Sequence, residues 1–281
     1  MSAPSHGPIL GVIPARYASQ RFPGKPLALL GGRPMIEHTW KAARRCRRLD
    51  AVVIATDHEG IAATARSFGA EVAMTDPAHP SGSDRAAEAM QQWEAAHSTR
   101  VAAVVNIQGD EPMMDPGVVD DAIAALLAPP TEGRPHAMVA SAMIPIVEAE
   151  TAARPDVVKV VVDATTRRAL YFSRSPIPSL SRSSAIDLAR EWSNLLDTPV
   201  PAVYGFKHLG LYAYRREALL RFIGLTPSPL ELIEKLEQLR LLENGMDLVM
   251  VVARRDVMGI DTPEDLERVQ ALLAAAQQQQ Q

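Results

Sequence analysis

Three cations crowd one short loop near the start of the chain. In VIPARYASQRFPGKPL, residues 12–27, an apolar run breaks into a segment carrying Arg16, Arg21 and Lys25 around Gly24 and two prolines. Arginine offers phosphate oxygens a rigid fork of donors, lysine a mobile point charge, and glycine lets backbone approach an anion. Neither familiar phosphate loop accounts for the pattern. The chain has no G-x-G-x-x-G, and Lys25 is followed by Pro26 instead of the hydroxyl residue of G-x-x-x-x-G-K-[ST]. Proline also biases Lys25 away from helical angles, so the loop is expected to run extended and present its side chains to a polyphosphate. The bland alternative is a solvated basic loop.

A triphosphate normally arrives with magnesium, which asks for carboxylates at neighbouring strand ends. VVNIQGDEPMMD supplies Asp110 and Glu111 directly after an apolar run, with Gly109 giving room for close approach. Far along the chain, VMGIDTPEDLERV supplies Asp261. There Thr262 can cap a helix, Pro263 take its first position and Asp265 return a bond, which leaves Asp261 outside the helix. Read singly, Asp110 is a turn residue and Asp261 the cap as readily as either is a metal ligand. Together with the cationic loop they fit metal-assisted nucleotidyl transfer.

A third group suits an acidic, polyhydroxylated partner. Arg174 ends RALYFSR, and His208 and Tyr212 lie four apart on KHLGLYAYR, hence on one face of a strand. Glu237 and Gln238 sit on a long helix predicted over SPLELIEKLEQLRLLENG, with Ser228 as cap, Pro229 first and Glu231 closing a capping box. A guanidinium can clamp a carboxylate while the others exchange hydrogen bonds with hydroxyls. Taken alone, His208 and Tyr212 are equally core residues and Glu237 a surface charge.

These residues need a scaffold. PILGVIPA, AVVIAT, VAAVVNI and AMVASAMIPI read as strands buried on both faces, alternating with the amphipathic stretches PMIEHTWKAARRCRRL, HEGIAATARSFG, SDRAAEAMQQWEAAH and PGVVDDAIAALLA. Pro34 suits the first turn of one helix and Gly69 the end of another. The rhythm predicts a doubly wound α/β fold, a mostly parallel central sheet with helices on both faces, over residues 8–145. The second half is mixed: VVKVVVD and RALYFSR as paired strands, a Pro- and Ser-bearing insertion over 176–205 with a helix in its middle, then FKHLGLYAYR, DLVMVVA and a last helix from Thr262. We expect a single domain over 1–275, a nucleotide-binding half at 8–145 and a sugar-binding half at 146–275, with a low-complexity tail at 276–281.

The totals agree. The chain has 281 residues, 47% apolar and 22% charged, with 33 Asp and Glu against 29 Lys and Arg, a net charge of −4. No bulk attraction to nucleic acid or membrane follows, so an anion must be held by a local cluster. A single cysteine, Cys46, excludes an internal disulfide and multi-cysteine metal sites. No apolar run approaches the ~20 residues of a membrane span, and MSAPSHGP lacks the pattern of a signal peptide; the expectation is a cytoplasmic protein.

The chain resembles the 3-deoxy-manno-octulosonate (Kdo) cytidylyltransferases, from VIPARYASQRFPGKPL through MIEHTW, ATDHEGI, VVNIQGDEPM, VKVVVD, ALYFSRSPIP, KHLGLYAYR and SPLELIEKLEQLR to GIDTPEDLERV. The short ARxxSxRxPGK element alone would indicate only cytidylyltransferases acting on acidic sugars. The resemblance implies a nucleotidyltransferase-like fold with a smaller mixed-sheet dimerisation region. It also implies a reaction, CTP plus Kdo giving CMP-Kdo and pyrophosphate for lipopolysaccharide synthesis, with Mg2+, in a homodimer. It implies that Arg16, Ser19 and Lys25 hold the CTP phosphates and that Asp110 and Asp261 are the magnesium ligands. Gln108, Arg174, His208, Tyr212, Glu237 and Gln238 would surround the sugar acid, with Arg85, from the loop MTDPAHPSGSDR, reaching the ligand. The family's ASTRLPGKPL reads ASQRFPGKPL here, its SGTER reads SGSDR, and the 176–205 insertion is longer than usual. The rival readings are CMP-activation of another acidic sugar, sialic acid or an amino-Kdo analogue, and a non-catalytic nucleotide-binding module. A nicotinamide-dependent redox enzyme is disfavoured by the missing glycine fingerprint.

Overall fold

The computed structural model describes residues 6–18, 21–130, 136–179, 181–193 and 200–278. The chain forms two compact units, one of residues 1–117 with 257–281 and one of residues 118–256. They do not coincide with the sequence-predicted halves: residues 118–145 belong to the second unit, and the last segment returns to the first.

The first unit opens with β1 (Ile9–Ala15), followed by a one-turn 3-10 helix at Lys25–Leu27 and the two-residue strands β2 (Leu29–Leu30) and β3 (Arg33–Pro34). Next come α1 (Met35–Ala43), β4 (Ala51–Thr56), α2 (Glu59–Ser67), β5 (Glu71–Met74), α3 (Gly82–His97) and β6 (Ala103–Asn106). The sheet runs β6-β1-β4-β5 with every pairing parallel. Nearly all of β1, β4 and β6 is buried, which is why they read as unbroken apolar runs. Two predictions need correction. Helix α1 ends at Ala43, short of the arginine-rich stretch that follows, with Arg44 as its cap. Lys25 is not extended: Gly24, at φ 71°, turns the chain into the 3-10 turn. Its bonds use the N–H groups of Leu27 and Ala28, not the missing donor of Pro26. Gly69, at φ 85°, ends α2 as expected.

The second unit holds most of α4 (Pro116–Leu127), then β7 (Val139–Pro145), α5 (Ala149–Ala153), β8 (Lys159–Val162), β9 (Ala169–Ser173), α6 (Arg182–Glu191) and β10 (Phe206–Arg215). It continues with α7 (Arg216–Ile223), α8 (Pro229–Glu234), α9 (Gln238–Glu243) and β11 (Leu248–Val252). Its sheet is mixed: β11 pairs β7 in parallel, while β7 with β10, β10 with β8 and β8 with β9 are antiparallel. Helix α6 is the one expected inside the 176–205 insertion. The single long helix expected from Ser228 is instead two. Its capping box forms, but Lys235 adopts left-handed angles (φ 55°) and ends α8. The break lets Leu236, Leu239 and Leu241 be buried while Leu232 and Ile233 stay exposed, although a continuous helix would set Leu232, Leu236 and Leu239 on one face. The chain then re-enters the first unit with α10 (Pro263–Gln278), which takes in residues 276–278 of the expected low-complexity tail; residues 279–281 lie outside the described residues.

Candidate active site

Within the first unit, one cavity of about 510 Å3 lies beyond the carboxyl ends of the parallel strands. Arg16, Arg21, Lys25, Gln108, Asp110 and Asp261 line it, with His79, Ser81, Gly82 and Arg85 from the start of α3. Residues some 240 positions apart in sequence meet here, and packing explains how. Ile260, beside Asp261, is buried in a small core with Leu30, Met35 and Val269, against which Phe22 and Leu266 pack. The Ile260 N–H donates to the Asp110 carbonyl at 2.9 Å, fixing the two aspartate loops to each other. Thr262 and Asp265 exchange the predicted capping bonds, at 3.0 and 3.2 Å. The Asp261 carboxylate therefore stays free of the helix start.

Lys25 sits between the acids. Its Nζ donates to Asp110 Oδ2 at 2.7 Å and to Asp261 Oδ1 at 3.2 Å, and its side chain is only 12% exposed. Arg21 pairs with the same Asp261 oxygen at 3.0 Å. Gly109 has a different role from the one its sequence suggests. A Cβ there would lie 2.6 Å from the Pro14 carbonyl, so this glycine lets the loop after β6 pack against the end of β1. Glu111 does not line the cavity. Arg85 is buried, donating to Asp57 at 2.9 Å and to Thr75, so its guanidinium braces the start of α3. Ser19 lies outside the described residues.

Sequence reading missed the start of α3. Ser81 caps the helix, accepting from the Ser83 and Asp84 N–H groups. A sixteen-residue helix thus turns its positive end to the cavity. The signal was present as Ser81-x-x-Asp84, a variant capping box. A magnesium ion fits the donors without a full protein cage: two carboxylates, with phosphates and water completing the shell, are the usual arrangement. Among the described residues no group of three or more His, Cys, Asp or Glu side chains forms a self-sufficient metal site.

The second unit gathers the other candidates. Strand β10 carries an irregularity between Leu209 and Tyr212, where three steps on β10 oppose one on β7. Two extra residues preserve the alternation, so His208 and Tyr212 still share a face, their rings 5.4 Å apart. Ser141 spans the irregularity, its Oγ 2.9 Å from His208 Nε2 and 2.7 Å from the Leu211 carbonyl. Gln238 lies at 3.4 Å from the other His208 nitrogen. Burial pushes the His208 imidazole down to about 3, so it is neutral at physiological pH. Burial, aided by the neighbouring Tyr214 and Glu237, pushes the Tyr212 phenol up, so it remains a donor.

Arg174 does not stand free as a clamp. Its guanidinium donates to the carbonyls of Glu234 (3.0 Å), Pro155 (3.2 Å) and Lys235 (3.4 Å). The left-handed Lys235 exposes two of these acceptors by ending α8. Burial alone would raise the Glu234 carboxyl, but hydrogen bonds from the Arg174 N–H, Ser173 and Tyr171 outweigh it and hold the group below its ordinary value.

A cation-lined cavity at the carboxyl edge of a parallel sheet, with two carboxylates set on one lysine, defines a nucleotidyltransferase. The chain belongs to the cytidylyltransferase family, whose model matches residues 10–248. It is 45% identical to the 3-deoxy-manno-octulosonate cytidylyltransferase of Syntrophotalea carbinolica, over 94% of this chain and 98% of that one. It is also 45% identical to the protein so named from Nitratidesulfovibrio vulgaris strain DP4, over 97% and 98%. Among solved structures it resembles CMP:2-keto-3-deoxy-manno-octonic acid synthetase in complex with CTP, at 36% identity and a TM-score of 0.80, covering 96% of this chain and 99% of that one. The nucleotidyltransferase-like fold is that of the sequence reading.

Proposed function

We propose that this protein transfers the cytidylyl group of CTP to Kdo, releasing pyrophosphate and giving CMP-Kdo for lipopolysaccharide synthesis. The observation that carries this reading is Lys25 held between Asp110 and Asp261 inside the cation-lined cavity, in a chain of this family. The anomeric hydroxyl of Kdo attacks the α-phosphate in line. A new O–P bond forms, the bond to the β-phosphate oxygen breaks, and the hydroxyl proton passes to solvent.

The residues divide the work chiefly into positioning and charge neutralisation. Arg16, Arg21 and Lys25 bind the departing pyrophosphate, aided by Ser19 and the start of α3. Asp110 and Asp261 would hold Mg2+, which when bound neutralises phosphate charge and orients the α-phosphate. Lys25 then turns from the carboxylates to the phosphates. In the second unit Arg174, His208, Tyr212, Glu237 and Gln238 serve the sugar acid, with neutral His208 and protonated Tyr212 suited to hydroxyl groups and Arg174 to the carboxylate.

The reading places the reaction in the cytoplasm; no helix among the described residues is long and apolar enough to cross a membrane. It also makes the protein a homodimer, in which a second copy covers Leu170, Leu232 and Ile233, three exposed apolar side chains of the second unit. A pyrophosphate-release assay tests the chemistry with CTP, UTP and ATP against Kdo and sialic acid. CTP with Kdo is expected to be the fastest pair. A faster rate with another nucleotide or sugar contradicts the assignment.

A further inference from the structure

The segment between β5 and α3 is pinned by side chains of α3, with one carboxylate at the centre. From Thr75 to Ser81 the chain joins no strand, yet its far end puts His79, Pro80, Ser81 and Gly82 into the wall of the cavity. Glu88, on α3, reaches back to it. Its Oε2 accepts from the Asp76 N–H at 2.8 Å and lies 2.5 Å from His79 Nε2. Its Oε1 accepts from Gln92 Nε2 at 2.9 Å, and the same nitrogen donates to the Met74 carbonyl at 2.7 Å. Arg85, three residues earlier on α3, holds Thr75 and Asp57. Residues 85, 88 and 92 fall on one helix face and tether the loop at its start, at Asp76 and at His79.

We propose that Glu88 is a positioning residue for the nucleotide: by holding Asp76 and the His79 ring, it sets the loop wall against which CTP binds. The inference rests on reading this cavity as the CTP site. Glu88 acts as an anion. Burial alone would raise its carboxyl, but the Asp76 N–H, His79 and Gln92 outweigh this and hold it below the ordinary value. With Nε2 engaged by Glu88, the other His79 nitrogen is the one left for a ligand. No other ion pair of His79 occurs among the described residues. A loop wall displaced by about an ångström misplaces the bound nucleotide, and such misplacement is costly far from the reacting atoms.

The test compares wild type with Glu88→Ala, Glu88→Gln, His79→Ala and the Glu88→Ala/His79→Ala double variant. CTP affinity is read by calorimetry, both KM values and kcat by pyrophosphate release, and folding by thermal melting. Glu88→Ala is expected to weaken CTP binding and raise its KM about tenfold, with the Kdo KM and kcat within about twofold. Glu88→Gln, which keeps the shape and one acceptor, is expected to recover part of the loss, and the double variant to lose little more than Glu88→Ala alone. Unchanged CTP affinity in Glu88→Ala, equal changes in both KM values, or fully additive losses in the double variant overturn the proposal. Should Glu88→Ala not fold, Glu88→Gln decides by the same split between substrates. Wild type that binds CTP but releases no pyrophosphate with Kdo would sink the reading of the reaction, while the calorimetric series would still decide the role of Glu88.

Discussion

The two units set their candidate ligands in opposite surroundings. In the first, charge is concentrated and partly wet: Asp261, 45% exposed, shares Lys25 and Arg21 with the cavity. In the second, the candidate ligand His208 is dry and neutral, only 9% exposed, with its hydrogen bonds made to Ser141 and Gln238. A polyphosphate with its metal needs compensating charge and can be held by mobile side chains. Hydroxyl groups need donors and acceptors whose protonation and orientation are fixed beforehand, and burial supplies both. The contrast predicts that substitutions in the first unit act on nucleotide binding and chemistry and those in the second on sugar affinity and pH behaviour.

The largest effect is expected from Asp261→Asn, which keeps shape and removes charge. Turnover at saturating CTP should fall about a hundredfold or more with the melting temperature nearly unchanged. Activity within a few-fold of wild type would remove Asp261 from the metal site. The next prediction sharpens the dry side. His208 has a folded-state pKa of about 3, below the unfolded value of about 6.5. Neutral His208 therefore contributes its full stability above about pH 6.5, and that contribution is lost as pH falls towards the folded value. Urea denaturation of wild type and His208→Gln at pH 7 and pH 4.5 should show wild type losing about 2 kcal/mol more than the variant. Parallel losses would mean that His208 titrates normally. The smallest effect is expected from Arg174→Ala, which should raise the sugar-acid KM about tenfold and the CTP KM much less. An equal rise in both, together with a lower melting temperature, would reduce Arg174 to its carbonyl contacts.

Charge on loops made the first site legible in sequence. Lys25, Asp110 and Asp261 stand out because each follows or precedes an apolar run that fixes its place at a strand end or helix start. Their convergence was expected on chemical grounds alone; the packing that achieves it, Ile260 entering a core with Leu30 and Met35, was not legible, being a tertiary contact with no local periodicity. Nor was the loop tether, since Glu88 looks like any solvent-facing glutamate on α3. In the second unit the shared face of His208 and Tyr212 follows from alternation, although only because the irregularity in β10 adds two residues and not one. The break at Lys235 escaped notice because every residue around it is a good helix former. Tertiary packing of Leu236 and Leu239, and carbonyls offered to Arg174, override that propensity. Short elements such as β5 and α5, of four and five residues, carry too little pattern to be read.

The central claim is that the opening cationic loop and the two distant aspartates surround one metal–triphosphate. Crystals grown with CTP and Mn2+, analysed by anomalous diffraction, test it most directly. The expected result is a single metal peak touching Asp110, Asp261 and the nucleotide phosphates, with Lys25 Nζ moved from the carboxylates to a phosphate oxygen. A metal bound away from either aspartate, or triphosphate lying clear of Arg16 and Lys25, would contradict it.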